Sequence, residues 1–325
     1  MIKKWYLIQL VSGGLKSLRI LILGSSGLVG SSLYRNLTKD PFYREVIASK
    51  RSDADLFNFQ ETYKLISEIK PDVIINSAAK VGGIVANNTN RTEFILENLK
   101  ININILESLI KFPEIKLINL GSSCIYPLGA KNPISEDSLM DGKLEPTNSP
   151  YAMAKLTAIE MGDALSSQFG HKIMNLMPTN LYGPNDNFSK LNSHVIPGLI
   201  SRMNDAKTGK HSIFKVWGTG APKREFLHVD DLASAINFLI KNNHYPKMLN
   251  IGSGIEITIK DLVMLIKDIV GYEGEIKFDT SMPDGNPRKL LDSSKINSLG
   301  WQSEIELKKG LASTFKWFVD NFDKI

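Results

Sequence analysis

The stretch Arg19-Ile-Leu-Ile-Leu-Gly-Ser-Ser-Gly-Leu-Val-Gly30 joins a short apolar run to three glycines, each three residues from the next. The run is typical of a buried parallel strand, and a helix is expected from about residue 29 to residue 38. Glycines at a strand-to-helix turn let the backbone approach a pyrophosphate, and the helix N-terminus then stabilises its charge. We therefore predict a dinucleotide-binding turn rather than an ordinary glycine-rich one. Its candidate contacts are Gly24, Ser25, Ser26, Gly27, Leu28, Val29 and Gly30.

Apolar runs and helical patterns alternate through the first half of the chain. The runs that follow the opening one lie at 45–48, 72–76, 116–120 and 172–177. This alternation indicates an α/β fold of the Rossmann type, with a doubly wound parallel sheet, over residues 18–178. The shorter, mixed elements that follow predict a smaller mixed α/β domain, mainly for the substrate, over residues 179–325. Segments near 226–254 are expected to return to the first domain.

The composition disfavours several kinds of partner. The formal net charge of +5 is dispersed along 325 residues, which suits an anionic ligand such as a nucleotide and disfavours nucleic acid. A single cysteine excludes an internal disulfide, and the five histidines lack metal-ligand spacing, so no metal is expected. The low cysteine count and the lack of an apolar run long enough to span a bilayer predict a cytoplasmic protein without membrane contact.

Residues 1–17 precede the first predicted strand and are interpreted as an N-terminal extension. A secretory signal is the alternative, because two lysines near the start are followed by an apolar run. Gln9 interrupts that run, and no clear small-residue cleavage site follows it, which favours the extension.

The predicted second strand ends in Ser49-Lys50-Arg51. An acid at this point would hold the unmodified ribose of NAD, whereas cations suit the 2′-phosphate of NADP. We therefore expect Lys50 and Arg51 to bind NADP(H), against the alternative that they are solvated loop charges. Asp53 or Asp55 is a further candidate for contact with the adenine.

Three residues with complementary proton chemistry come next. Ser122 directly follows the fourth predicted strand, at the carboxyl edge of the sheet where ligands bind. Tyr151 and Lys155 are four residues apart in a helix that Ser149 is expected to cap, so they share one face. An ammonium beside a phenol stabilises the phenolate, which is expected to lower the pKa of Tyr151. Ser122, Tyr151 and Lys155 are thus predicted to donate a proton to a carbonyl that receives hydride.

The longest helical pattern before residue 120 spans 93–112. Its inner face is expected to be the apolar stripe formed by Leu96, Leu99, Ile103, Leu106 and Ile110. Ile101 and Ile105 widen this stripe, so pairing with a second subunit is a further expectation.

Together, the glycine turn, Ser122 and Tyr151-x-x-x-Lys155 resemble the extended short-chain dehydrogenase/reductase family. Longer blocks, such as Gly121-Ser-Ser-Cys-Ile-Tyr-Pro127 and Arg224-Glu-Phe-Leu-His-Val-Asp-Asp231, narrow the resemblance to members that act on GDP-4-keto-6-deoxy-D-mannose. The other blocks are 78–88, 144–147, 177–184, 192–197 and 283–292. The resemblance covers the chain from about Leu18 to its C-terminus.

The resemblance implies an NADPH-dependent enzyme that epimerises this sugar at C3 and C5 and reduces it at C4. The 4-keto group acidifies the hydrogens at C3 and C5, so epimerisation needs a base and an acid on opposite faces of the ring. By resemblance, Cys124 is the base and His194 is the acid. Tyr151 then protonates the C4 oxygen, assisted by Ser122 and Lys155. A packed interior cysteine and a surface histidine are the alternatives.

Binding residues and assembly are implied in the same way. The cofactor is expected to contact Tyr151, Lys155, Pro178, Asn180 and Leu181. The GDP-sugar is expected to contact Asn180, Arg202, Trp217, Arg224 and Lys289. Arginines suit a diphosphate because they donate two parallel hydrogen bonds. A homodimer is implied, with the helices at 93–112 and 150–169 as a four-helix seam.

One departure bears on the cofactor. Some relatives carry a basic residue in the glycine turn, where this chain has Ser25 and Ser26. The preference for NADPH therefore rests on Lys50 and Arg51.

Three other functions stay open. A reductase or epimerase of a related GDP-4-keto sugar, such as a heptose, would use the same residues. A 4,6-dehydratase is disfavoured, because Cys124 and Ile125 follow Ser123 where sibling enzymes have an acid. A non-catalytic NADPH-binding regulator is disfavoured, because it would have no need of a proton donor such as Tyr151.

Overall fold

The structure, a computed structural model, describes residues 17–189, 193–282 and 284–321. Residues 1–16 of the predicted extension lie outside this part of the chain, as do Asn192 and Pro283 of the blocks quoted above. No helix within the described residues is long and apolar enough to cross a membrane.

The described strands are β1 (Leu18–Leu23), β2 (Tyr43–Ser49), β3 (Val73–Asn76), β4 (Lys116–Leu120), β5 (Ile173–Pro178), β6 (Asn180–Tyr182), β7 (Ile213–Trp217), β8 (Lys223–His228), β9 (Met248–Ile251), β10 (Glu256–Thr258), β11 (Glu275–Asp279) and β12 (Arg288–Lys289). The described helices are α1 (Leu28–Leu37), α2 (Phe59–Ile69), α3 (Ile84–Thr89), α4 (Arg91–Leu109), α5 (Ser149–Phe169), α6 (Val195–Thr208), α7 (Val229–Lys241), α8 (Ile259–Val270), α9 (Ser294–Leu299) and α10 (Leu307–Asn321). Short 3₁₀ turns lie at Ser123–Ile125 and Glu136–Ser138.

Six strands form one parallel sheet in the order β2-β1-β3-β4-β5-β9. Strand order reverses between β1 and β3, which makes this the switch point where ligands bind in such sheets. The predicted doubly wound α/β fold is therefore confirmed.

Successive side chains of β1 enter different cores because they point to opposite faces of the sheet. Ile20 and Ile22 belong to a core shared with α1 and α7. Leu21 and Leu23 belong to the core on the other face, shared with α2, α4 and α5. Burial on both faces explains why the strand reads as a continuous apolar run.

A separate core lies among the C-terminal elements. It is built from α6, α8 and α10 together with side chains of β7 and β8. Strand β7 pairs with β11, and β8 is flanked by β10 and β12 and also pairs with β6. The intervening α7 and β9 belong instead to the six-stranded sheet and its core.

The predicted inner face of α4 is largely wrong, because only Leu106 of its five side chains is buried in the core against the sheet. Leu96, Ile103 and Ile110 are exposed, whereas Ile101 and Ile105 are buried against the sheet. The apolar stripe misled because the true inner face also carries buried asparagines, which look polar in the sequence. A smaller correction concerns α5, where Asn148 rather than Ser149 occupies the N-cap position.

A row of buried asparagines crosses the sheet. Asn76 of β3 donates from Nδ2 to Asn119 Oδ1 on β4 over 3.0 Å, and Asn119 donates from Nδ2 to Asn175 Oδ1 on β5 over 3.2 Å. Asn76 Nδ2 also donates to Asn102 Oδ1 on α4 over 3.3 Å. Since these buried amides satisfy one another in place of water, the row ties α4 to three strands.

Replacing Asn119 with alanine is expected to lower the free energy of unfolding by roughly 2–5 kcal/mol, because two buried amides lose a partner at once. Urea denaturation measures the change. Asn297→Ala, on the exposed surface of α9, is the matched control and is expected to shift stability by less than about 0.5 kcal/mol. Equal stability of the two variants would contradict the role given to the row.

Candidate active site

A cavity of about 1340 Å³ opens at the carboxyl edge of the six-stranded sheet. It exceeds the roughly 300–1000 Å³ of common small-molecule pockets, so it has room for two ligands. The predicted site residues that line it are Gly24, Ser26, Gly27, Leu28, Val29, Lys50, Arg51, Ser122, Cys124, Tyr151, Lys155, Pro178, Asn180, Leu181, His194, Arg202, Trp217, Arg224 and Lys289. Ser25 and Gly30 are not among the lining residues.

The glycine turn has the shape that a dinucleotide requires. A Cβ at Gly30 would lie 2.3 Å from Gly24 O, so α1 packs directly on the turn. A Cβ at Gly27 would meet only Gly24 O, at 3.7 Å, so this backbone borders open space at the cavity. Ser25 Oγ donates to Ser49 O over 2.9 Å and thereby ties the turn to β2. These residues fit a bound diphosphate at the N-terminus of α1.

Lys50 and Arg51 both line the cavity and are exposed. The Arg51 guanidinium lies 5.0 Å from the centre of the Phe57 ring, which holds it at the end of β2. Of the two candidate acids, Asp55 lines the cavity. Asp53 does not, and its carboxylate accepts a hydrogen bond from Lys50 N over 2.8 Å. The two cations therefore lie beside the turn, where the 2′-phosphate is expected.

The three proton-handling residues meet where β4 ends. Lys155 Nζ donates to Leu120 O over 2.7 Å, which joins α5 to the last residue of β4. Ser122 Oγ accepts from Cys124 N over 3.2 Å and caps the short turn that carries the cysteine. Ser122 also hydrogen-bonds the Tyr151 hydroxyl, and Cys124 packs against the small cluster that contains Tyr151.

The expected lowering of the Tyr151 pKa is wrong. Burial raises the pKa of this phenol, the nearby Cys124 raises it further, and only the hydrogen bond with Ser122 opposes them. Lys155 does not compensate, because its Nζ lies 5.8 Å from the centre of the Tyr151 ring and is bonded to a carbonyl. Burial also lowers the pKa of Lys155 to about 8. The phenol is therefore held in its protonated form.

His194 stands at the N-cap position of α6. Its side chain is exposed to the cleft rather than to the outer surface, because it lines the cavity. Removal from bulk water lowers the pKa of the imidazole, so the ring is mainly neutral at pH 7.

The residues expected to hold the GDP-sugar lie on the C-terminal elements. Arg202 is held by its own helix, with Nε donating to Gly198 O, and its guanidinium lies 5.4 Å from the Phe214 ring centre. Burial lowers the pKa of both Arg202 and Arg224. Trp217, at the end of β7, is 54% exposed and offers an open aromatic face.

Asn180 and Lys289 lie in the two short strands, β6 and β12, that pair with β8. Asn180 Nδ2 donates to Glu225 O over 2.8 Å, so this amide nitrogen holds β8 beside β6. Lys289 is half-buried in β12, and its backbone pairs with Arg224 of β8.

Sequence reasoning missed Asp186, which lines the cavity and is 9% exposed. Its Oδ1 accepts from Asn187 N over 2.8 Å, whereas Oδ2 is buried without a hydrogen-bond partner among the described residues. Burial raises the pKa of this carboxyl to about 7. Its position in a loop just beyond the strand edge was the available signal.

The comparisons with known proteins agree with this site. A sequence model of the NAD dependent epimerase/dehydratase family matches residues 20–252. The chain is 46% identical over 304 residues to "Probable GDP-L-fucose synthase 1" of Oryza sativa subsp. japonica, covering 93% of this chain and 92% of that protein. It is 43% identical over 315 residues to "GDP-L-fucose synthase" of Escherichia coli (strain K12), covering 94% and 98%.

A solved structure extends the likeness to three dimensions. It is "MlghC, GDP-mannoheptose C4 reductase from Campylobacter jejuni with NADP bound", with a TM-score of 0.84 and 34% sequence identity. The match covers 93% of this chain and 98% of that one.

Lys155→Met tests the buried charge. Because the folded-state pKa of about 8 lies below the 10.5 of an exposed lysine, the folded protein binds this proton more weakly than the unfolded chain does. The charge therefore destabilises the fold below pH 8, and the penalty disappears as pH rises from 8 to 10.5. The stability of Lys155→Met relative to the native protein is expected to fall by on the order of 3 kcal/mol between pH 7 and pH 10.

Urea denaturation at the two pH values measures this difference. Lys100→Met, which removes an ammonium from an exposed position of α4, is the matched control. A difference between Lys155→Met and the native protein that does not change with pH would contradict the buried ammonium.

Proposed function

Because the chain belongs to the NAD dependent epimerase/dehydratase family, we propose that it converts GDP-4-keto-6-deoxy-D-mannose to GDP-L-fucose with NADPH. The observation that carries this proposal is the meeting of a serine, a cysteine and a tyrosine at one cavity that the glycine turn also lines. The relatives named GDP-L-fucose synthase support the choice of sugar.

NADP(H) is proposed as the cofactor, and the NADP-bound structural neighbour supports it. When bound, it supplies the hydride that reduces C4 of the sugar. The glycine turn and the N-terminus of α1 hold its diphosphate, and Lys50 and Arg51 pair with its 2′-phosphate. Further contacts are assigned to Tyr151 and Lys155. The loop after β5 adds Pro178, Asn180 and Leu181.

Epimerisation is assigned to Cys124 and His194. The 4-keto group lets the ring lose a hydrogen from C3 or C5 as a proton, leaving an enolate. Cys124 removes the proton from one face, and His194 returns one to the other. Only the protonated form of His194, a minority at pH 7, delivers that proton, and the lowered pKa makes this form the stronger acid.

Reduction is assigned to Tyr151, with Ser122 and Lys155 as its supports. The C4 oxygen gains negative charge as the carbonyl is reduced, so it needs a proton donor. The raised pKa of Tyr151 keeps its hydroxyl protonated until that moment. Ser122 orients the hydroxyl through their hydrogen bond. Lys155 fixes α5, which carries Tyr151, against the end of β4 through its bond to Leu120 O.

The GDP part is assigned to the C-terminal wall. Arg202 and Arg224 suit the diphosphate because guanidinium groups donate paired hydrogen bonds. Trp217 offers its exposed ring to the base. Asn180 and Lys289 complete the set.

A second candidate is reduction or epimerisation of a GDP-4-keto-heptose. The structural likeness to a GDP-mannoheptose C4 reductase favours it. The same residues would perform that chemistry, and a non-catalytic regulator would not need the buried Tyr151.

We further propose a cytoplasmic homodimer. The exposed apolar side chains Leu96 and Ile103 on α4, Ile110 directly after it and Met153 on α5 support a four-helix seam between two copies. We also propose the predicted division into a cofactor domain over 18–178 and a substrate domain mainly over 179–325.

Incubation of the protein with NADPH and GDP-4-keto-6-deoxy-D-mannose tests the reaction directly. The expected result is oxidation of NADPH, followed by its absorbance, with GDP-L-fucose identified by chromatography and NMR. Oxidation only with a GDP-4-keto-heptose would favour the second candidate. No oxidation with either sugar would reject both.

Cys124→Ser tests the separation of the two chemistries. A hydroxyl is a far weaker base than a thiolate at neutral pH, so epimerisation should fall by at least about a hundredfold while some 4-keto reduction remains. The product is then expected to keep the original configuration at C3 and C5, as read by NMR. Tyr151→Phe is the converse control and should suppress reduction. Loss of both activities in Cys124→Ser would contradict this division of roles.

A further inference from the structure

The segment 81–87, which follows β3 and enters α3, contacts the reaction centre. Ala86 is buried in the same small cluster as Tyr151, with Cys124 packed against it. The segment therefore borders the atoms to which proton transfer is assigned.

The same segment also reaches the wall assigned to the diphosphate. A Cβ built on Gly285 would lie 4.0 Å from Ile84 Cδ1 and 3.1 Å from Arg224 Nη2. Ile84 and Arg224 thus approach the same point of the loop before β12. In a nucleotide sugar the hexose is attached directly to the diphosphate, so the ring must lie between Arg224 and Tyr151. This segment spans that interval.

Asn87 offers an unused hydrogen-bond acceptor within this segment. It is 6% exposed and lines the cavity. Its Nδ2 donates to Gly82 O over 2.7 Å and to Gly83 O over 3.1 Å, which identifies the nitrogen end of the amide. Its Oδ1 is buried and has no partner among the described residues. A ligand hydroxyl is the natural donor to such an oxygen.

Three apolar side chains of the same segment line the cavity together with Asn87. Val81, Ile84 and Val85 line the cavity and are exposed, Ile84 by 63%. Exposed apolar side chains gathered in a cleft are typical of a surface that a ligand covers.

We infer that segment 81–87 binds the hexose ring of the nucleotide sugar. Asn87 Oδ1 accepts a hydrogen bond from a ring hydroxyl, and Val81, Ile84 and Val85 contact the apolar part of the ring, including the C6 methyl group of a 6-deoxy sugar. The inference rests on the proposed function, because it takes Arg224 as the diphosphate site.

Titration calorimetry with GDP-L-fucose, GDP and NADP⁺ separates the hexose contact from the others. For Asn87→Ala, the Kd of GDP-L-fucose is expected to rise about tenfold, the loss of one hydrogen bond. The Kd values of GDP and NADP⁺ should stay within about twofold, because neither ligand carries the hexose. Asn88→Ala changes the adjacent exposed asparagine of the same helix and should leave all three unchanged.

Asn87→Ala also removes the hydrogen bonds to Gly82 O and Gly83 O, so it changes the support of the segment as well as the acceptor. Ile84→Ala tests the same site without losing these bonds. Ile84 is exposed, so its truncation leaves the fold intact, and the same selective loss for GDP-L-fucose is expected. Equal weakening of GDP and GDP-L-fucose in both variants, or no change in either, would overturn the inference. If the two variants lose affinity for GDP-L-fucose alone, but the native protein fails to oxidise NADPH with the keto sugar, the proposed reaction is rejected and the hexose site stands.

Discussion

The hydrogen bond from Lys155 Nζ to Leu120 O is the contact on which the site depends. It joins the second turn of α5 to the last residue of β4. Both elements therefore place their functional side chains at the same end of the sheet. Strand β4 leads into Ser122 and Cys124, and α5 carries Tyr151 one turn before the lysine. The bond adds a buried polar link to the apolar packing of Leu156 and Ile159 of α5 against Ile125, which follows the thiol.

Burial at this junction determines the proton chemistry. The same desolvation that raises the pKa of Tyr151 lowers that of Lys155, since each group is driven toward its neutral form. A neutral phenol is the form that donates a proton to a carbonyl oxygen. The lysine remains largely charged at pH 7, because its pKa of about 8 is still above that pH. The two groups are therefore ready as donor and positive charge before any ligand arrives.

The fold could be predicted from the sequence because its strands are apolar runs that end in glycine or small polar residues, as at Gly24 and Gly121. The cavity-lining positions of Ser122 and Cys124 followed from the same strand edges, and that of Tyr151 followed from its spacing to Lys155 on one helix face. The two predictions that failed concern properties that are set by packing between distant segments of the chain. The pKa of Tyr151 is set by how much protein surrounds it, and the inner face of α4 is set by asparagines paired across the sheet. Likewise, only the assembled structure shows that one side-chain oxygen each of Asn87 and Asp186 has no hydrogen-bond partner among the described residues.

Two walls of different origin close the cavity. The edge of the parallel sheet offers backbone and proton-transfer groups, and the C-terminal core offers arginines and an aromatic face. The central claim is that a thiol, an imidazole and a phenol act on one sugar ring held between these walls. Conversion of GDP-4-keto-6-deoxy-D-mannose in D₂O tests this most directly. The expected product carries solvent deuterium at C3 and C5 and none on C4, as read by mass spectrometry and NMR. A reduced product without solvent deuterium at C3 and C5 would contradict the claim.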